Sequence, residues 1–305
     1  MSYPQEVTIV EVGPRDGLQS QPKVLPAEDI IEFVNRLSDA GLTNIEVGAF
    51  VNPKRVPQMA ASEAVFRGIK KAKQTRYPVL VPNLKGLERA LSVGAKEIAL
   101  FTAASETFNQ KNTNASIAES ISRFKEVTEL AHQEKLWIRG YISTCFGCPF
   151  EGAVQPEKVL EVSNRLLDLG VDELSIGDTI GVATPKHIED VFHLLLESIP
   201  PSKLALHAHD TRGTALANCL RALQLGIHIF DTSAGGVGGC PFAPGATGNL
   251  ATEDLVYMLD GLGIEHGVSL NALVYASAFL ESRLGALPGR AYGALKKNEA
   301  DGGHL

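Results

Sequence analysis

One pattern recurs along this chain: a short β-branched run, a longer amphipathic stretch, a glycine, a turn, and then the next β-branched run. Strand candidates fall at 7–11, 44–49, 78–82, 97–102, 136–143, 173–177, 204–208 and 229–233. Two successive strands can lie parallel only if a crossover, usually a helix, returns the chain to the starting edge. The stretch 26–40 is such a crossover, with Ile30, Ile31, Phe33, Val34 and Leu37 on one helical face. Helices end at Gly41, Gly170 and Gly226, where the absence of a Cβ permits the left-handed turn into the following strand.

Eight such cycles with short connections predict an α/β protein, a (β/α)8 TIM barrel with additional C-terminal helices. An open doubly wound sheet would carry a glycine-rich phosphate turn after its first strand, and Val12-Gly13-Pro14-Arg15-Asp16-Gly17 is not one. The 305 residues are expected to form a single TIM-barrel catalytic domain, with the barrel over about 7–262. Helical patterns near 250–261 and 271–284 serve as closing and extra helices; the C-terminal helical segment covers about 263–295 and a loose tail 296–305.

Charge and cysteine usage narrow the function. The net charge is −7 and no Lys/Arg block occurs, which argues against nucleic acid as a partner. No apolar run is long enough to span a bilayer, so no membrane partner is expected. Four cysteines, Cys145, Cys148, Cys219 and Cys240, do not make a disulfide scaffold. Cys145-Phe-Gly-Cys148 lacks the second pair that a zinc site needs. With no leader recognisable before the first strand, the expectation is a cytoplasmic protein.

A barrel of this type gathers its chemistry at the C-terminal ends of the strands. Strand seven ends His207-Ala208-His209, and residues two apart on a strand share a face, so both imidazoles can reach one ion. Strand one ends with Arg15-Asp16, a cation beside a carboxylate. By itself that is a turn composition; beside two histidines it becomes a third ligand and an electrophilic stabiliser. Glu46 lies inside the apolar second strand and needs a counter-charge, for which Arg15 is the neighbour at hand. Asp178 and Thr179 close strand six and are placed to hydrogen-bond a substrate or to hold a ligand histidine. The longest glycine-rich loop, 234–249, carries Cys240 as a candidate reactive group and ends at Asn249, a further ligand or a helix N-cap. Asp16, His207, His209 and Asn249 together offer two nitrogens and two oxygens, a set that suits Mg²⁺ or Mn²⁺ without excluding zinc.

Val12-Gly13-Pro14-Arg15-Asp16-Gly17-Leu18-Gln19 with Glu46 resembles the DRE-TIM metallolyase superfamily. Gly238-Gly239-Cys240-Pro241-Phe242-Ala243 followed by Gly248-Asn249, and Arg139-Gly140-Tyr141-Ile142-Ser143 followed by Gly147-Cys148-Pro149-Phe150, resemble its 3-hydroxy-3-methylglutaryl-CoA (HMG-CoA) lyase family. The resemblance runs from about Val7 to Tyr292. It implies that Asp16, His207, His209 and Asn249 bind Mg²⁺ or Mn²⁺, and that Arg15, Asp16, Glu46, His207 and Cys240 are catalytic. It also implies that Arg15, Tyr141, Asp178 and Thr179 meet an acyl-CoA substrate, and that the chain forms a homodimer. The implied reaction is cleavage of HMG-CoA to acetoacetate and acetyl-CoA. Rivals are a lyase for a longer 3-hydroxy-3-alkylglutaryl-CoA, a Claisen-condensing acyltransferase of the same superfamily, and a non-catalytic metal-binding barrel. The pathway is open between leucine breakdown, ketone-body formation and acyclic terpene use.

Overall fold

The computed structural model describes residues 3–239 and 248–300. Its strands are β1 (Thr8–Glu11), β2 (Asn44–Ile45), β3 (Val79–Leu80), β4 (Glu97–Ala103), β5 (Trp137–Ser143), β6 (Glu173–Asp178), β7 (Leu204–Ala208) and β8 (Ile229–Thr232). All their pairings are parallel, in the order β2-β1-β8-β7-β6-β5-β4-β3. The seam left between β2 and β3 is closed by parallel bridges, Asn44 with Arg76 and Ala49 with Leu80. Backbone bonds reinforce it: Val47 N donates to Pro78 O at 3.1 Å and Phe50 N to Leu80 O at 2.8 Å. The chain is thus the α/β TIM barrel that its periodicity predicts. β2 is regular over only two residues instead of the expected 44–49. Pro78 opposite has no N–H to return a bond, so the ladder across this seam is broken.

The helices are α1 (Ala27–Asp39), α2 (Ser62–Gly68), α3 (Leu84–Ser92), α4 (Glu106–Thr113), α5 (Ile117–Gln133), α6 (Pro156–Asp168), α7 (Pro185–Leu196), α8 (Ala215–Gln224), α9 (Thr252–Leu262), α10 (Leu270–Leu284) and α11 (Arg290–Ala300). In α1 the buried residues Ile30, Phe33, Val34 and Leu37 face the sheet, each contributing about 1.5–3 kcal/mol on burial. Gly41, Gly170 and Gly226 have φ of 97°, 79° and 88°, so the helix–glycine–strand reading rests on real left-handed turns. α11 continues past Lys296, where a loose tail was expected. Its residues are mostly good helix formers, and Lys296 pairs with Glu281 on α10. Among the described residues, no helix is long and apolar enough to cross a membrane.

Strand alternation sorts the side chains into two populations. Ile138, Ile142, Leu174, Ile176, Leu204, Leu206 and Phe230 join the main hydrophobic cluster with the helices. The intervening residues Arg139, Tyr141, Glu173, Ser175, His207 and Asp231 are also buried, and hydrogen bonds join them to one another. A barrel interior is ordinarily filled by branched apolar side chains. Here the apolar filling from β7, β8 and β1 with the residue that follows it is a small cluster of Val10, Val12, Ala205 and Ile229. The barrel therefore keeps charge inside, and that charge supports the site at its mouth.

Candidate active site

Just past β1, Gly13–Gly17 forms a single π-helical turn. The amides of Asp16 and Gly17 both donate to Val12 O, at 2.7 and 3.2 Å. Wide turns of this kind are found at functional sites, and here the turn carries Arg15 and Asp16 to the cavity wall. Gly17 is required by close approach: a Cβ there would sit 2.7 Å from Val237 Cγ1.

Asp16, His207 and His209 converge. Their potential ligand atoms lie within 4.8 Å of one another. His207 Nε2 and His209 Nε2 face each other at 3.1 Å. Asn249 arrives beside His209 through a β-bridge, and its Nδ2 donates to Asp16 Oδ2 at 3.0 Å and to Val237 O at 3.2 Å. Its Oδ1 is buried without a hydrogen-bond partner among the described residues. An orphaned buried acceptor costs about 1–3 kcal/mol. That orphan oxygen, beside two opposed imidazole nitrogens and a carboxylate, fits a divalent cation bound by two nitrogens and two oxygens.

Arg15 organises the charge beside this cluster. Its Nε donates to Glu46 Oε2 and its Nη1 to Asp16 Oδ1, both at 2.7 Å. Burial alone would lower the Arg15 pKa, but Glu46 and Asp16 outweigh it and keep the guanidinium charged. Burial pushes Asp16 upward, yet the charges of Arg15 and the two histidines hold its carboxyl at about 2. Burial raises Glu46 despite Arg15. His209 is pushed down to about 4 by burial and then by His207, which leaves it neutral and able to ligate.

Behind the cluster runs a buried polar chain. Tyr141 Oη donates to Glu46 Oε2 at 3.1 Å and accepts from Arg139 Nη1 at 2.9 Å. Arg139 also bonds Glu173 at 2.7 Å and Asp231 at 2.6 Å. Asp231 Oδ2 then lies 3.2 Å from His207 Nδ1 and accepts from Ser175 Oγ at 2.7 Å. Burial opposes ionisation of Asp231, but Arg139 and His207 overcome this and keep it charged. For His207, burial would lower the pKa; the bond and charge of Asp231 reverse that and raise it. With Nδ1–H given to Asp231, Nε2 keeps a lone pair directed at the cluster.

The residues expected from sequence are thus mostly together: Arg15, Asp16, Glu46, Tyr141, His207, His209 and Asn249 form one connected set. Thr179 lines the same cavity, and its Oγ1 accepts from Thr144 N at 2.8 Å. Asp178 is engaged elsewhere: its two oxygens accept from Val182 N at 2.9 Å and Ala183 N at 3.0 Å, pinning the loop after β6. Cys240 lies outside the described residues. Cys145 and Cys148 are buried free thiols, and burial pushes Cys145 up, away from thiolate chemistry. Sequence reasoning missed Asp231 and assigned no role to Arg139. The available signal was the one that exposed Glu46, a charged residue within an apolar strand.

The chain has counterparts among known proteins. Residues 6–280 match the HMGL-like family. The chain belongs to that family. It is 51% identical over 279 residues to a mitochondrial hydroxymethylglutaryl-CoA lyase of Bos taurus, covering 92% of this chain and 86% of that one. Among solved structures, the hydroxymethylglutaryl-CoA lyase of Pseudomonas aeruginosa superposes with a TM-score of 0.96 at 48% identity, covering 98% of this chain and 100% of that one. An HMG-CoA lyase of Acinetobacter baumannii, solved with coenzyme A and 3-methylmalate, gives a TM-score of 0.92 at 40% identity over 96% of each chain.

Proposed function

We propose that this member of the HMGL-like family is an HMG-CoA lyase, cleaving (S)-3-hydroxy-3-methylglutaryl-CoA to acetoacetate and acetyl-CoA. What carries the reading is Arg15, ion-paired to Glu46 and set against the Asp16–His207–His209 cluster, in a chain about half identical to named lyases. The cavity measures about 1270 Å³, above the ~300–1,000 Å³ usual for small ligands, as an acyl-CoA requires.

In the reaction the C3 hydroxyl loses its proton, the C2–C3 bond breaks, and its electron pair passes to C2 as a thioester enolate. C3 becomes the ketone of acetoacetate, and C2 takes up a proton to give acetyl-CoA. Asp16, His207, His209 and Asn249 would hold Mg²⁺ or Mn²⁺, which supplies Lewis-acid polarisation of substrate oxygens when bound. The proton acceptor is Asp16 or His207, the two basic groups that converge there. His207 gives its Nδ1–H to Asp231 and would give Nε2 to the cation, so it can accept a proton only while Nε2 is free; Asp16 has no such restriction. Arg15, already fixed by two bonds, stabilises the enolate oxygen without reorganising. Glu46 and Tyr141 orient Arg15; Thr179 meets the substrate from just past β6 and Asp178 holds the loop there. Cys240 protonates the enolate or closes the site over it. We further propose a cytoplasmic homodimer.

The test is a substrate panel with Mg²⁺ and Mn²⁺. HMG-CoA is expected to yield acetoacetate and acetyl-CoA, and longer 3-alkyl analogues to release acetyl-CoA, with the correspondingly longer 3-oxo acid, more slowly. CoA release from acetyl-CoA plus a 2-oxo acid, without acetoacetate from HMG-CoA, would instead identify a condensing enzyme.

A further inference from the structure

Glu11, the last residue of β1, is wholly buried and takes no part in the chemistry above. Its neighbours are not cations. Gly13 N and Ala234 N each donate to Oε1 at 2.9 Å, and Thr252 Oγ1 donates to Oε2 at 2.6 Å. Thr252 Oγ1 is also 2.8 Å from Thr232 Oγ1. A buried carboxylate without a counter-charge is costly, and burial pushes this one up to about 7. Such a group persists where its acceptor geometry is needed.

The two amides on Oε1 root two separate segments. Gly13 opens the π turn that carries Arg15 and Asp16. Ala234 opens the turn Ala234–Gly236, after which Val237 O accepts from the Asn249 side chain. One oxygen atom therefore spans the bases of the segments that deliver Asp16 and secure Asn249. The fit is close: a Cβ on Gly13 would lie 2.5 Å from that same oxygen. Glu253 supports the second segment independently, accepting from Gly235 N at 2.8 Å.

We propose that Glu11 is a positioning residue: its Oε1 locks the Arg15–Asp16 turn to the root of the 234–239 segment and so sets the Asp16–Asn249 spacing that cation binding and cleavage require. The rate arm of its test rests on the lyase reading; the binding arm does not.

Glu11→Asp withdraws the acceptor by one methylene, whereas Glu11→Gln keeps an oxygen at Oε1 and lets Thr252 accept from the amide. For the full-length enzyme, Mn²⁺ affinity without substrate is read by electron paramagnetic resonance, and kcat and KM are read with HMG-CoA. Glu11→Asp is expected to weaken Mn²⁺ binding about tenfold and lower kcat at least tenfold, with KM within about threefold, because the lost interaction fixes reacting groups. Glu11→Gln is expected to restore both to within about threefold, since the acceptor is kept. Folded Glu11→Asp with wild-type Mn²⁺ affinity and kcat overturns the proposal, as does Glu11→Gln as impaired as Glu11→Asp. If the wild type binds Mn²⁺ but does not cleave HMG-CoA, the lyase reading fails while the Mn²⁺ arm still decides the role of Glu11. Should Glu11→Asp not fold, hydrogen exchange of the wild type decides. Amides of 12–18 and 233–239 are expected to open together, and independent opening overturns the proposal.

Discussion

Arg15→Gln perturbs two things at once, and the structure separates them. The substitution removes the 2.7 Å bonds to Glu46 and Asp16. Glu46 is then a wholly buried carboxylate whose one remaining hydrogen-bond donor among the described residues is the Tyr141 hydroxyl, at 3.1 Å, with the charge of Arg139 as its nearby counter-charge. Removing one member of a buried pair costs about 3–5 kcal/mol. Burial already raises the Glu46 pKa, so the group takes up a proton and the loss falls at the lower end, about 3 kcal/mol. At roughly 2 °C per kcal/mol for a chain of this size, Tm should fall by about 6 °C. The rate should fall by about 10²–10³ or more, the usual consequence of losing a preorganised stabiliser of developing charge. Arg15→Gln/Glu46→Gln replaces the ion pair by two neutral amides and should recover most of the Tm while the rate stays low. Acetoacetate release with saturating Mn²⁺, alongside scanning calorimetry, reads both effects. A double variant within tenfold of the wild-type rate would mean that Arg15 serves only to neutralise Glu46. A single variant with unchanged Tm would refute the energetic role given to the pair.

Asp231→Asn keeps the shape but loses the charge that fixes the His207 tautomer and neutralises Arg139; Mn²⁺ affinity should fall about 10–100-fold, read by titration, and an unchanged affinity would disprove the tautomer argument. Glu253, buried and held by Gly235 N and the Ser277 hydroxyl, has its carboxyl raised from 4.5 to about 7, so the folded state retains a proton that the unfolded chain releases. Its stabilising contribution is therefore full below pH 4.5 and is lost as pH rises toward 7, a change of order 3 kcal/mol. Glu253→Gln should grow more stable relative to the wild type across that window; a stability difference that does not change with pH would reject the shift.

The barrel was legible because its signals are local. Periodicity placed the strands, and Gly41, Gly170 and Gly226 marked the turns that the backbone adopts. The candidate ligands were legible because His207 and His209 share one strand face, where the structure brings them together with Asp16. What escaped was non-local. The Asp231–Arg139–Glu173 chain joins three strands, and nothing in the spacing of those residues indicates that they meet. The π turn at Gly13–Gly17 depends on packing against Val237, 220 residues away, and so has no short-range signature beyond its glycines. Asp178 looked like a group for substrate or ligand; two backbone amides a few residues on engage both its oxygens, a contact set by the path of the following loop.

Anomalous diffraction from crystals of the Mn²⁺-loaded protein, collected at the manganese edge, asks the decisive question directly. One peak is expected, about 2.0–2.4 Å from a carboxylate oxygen of Asp16, Nε2 of both His207 and His209, and Oδ1 of Asn249. A peak elsewhere, or one that misses either imidazole, would contradict the site on which the proposed chemistry depends.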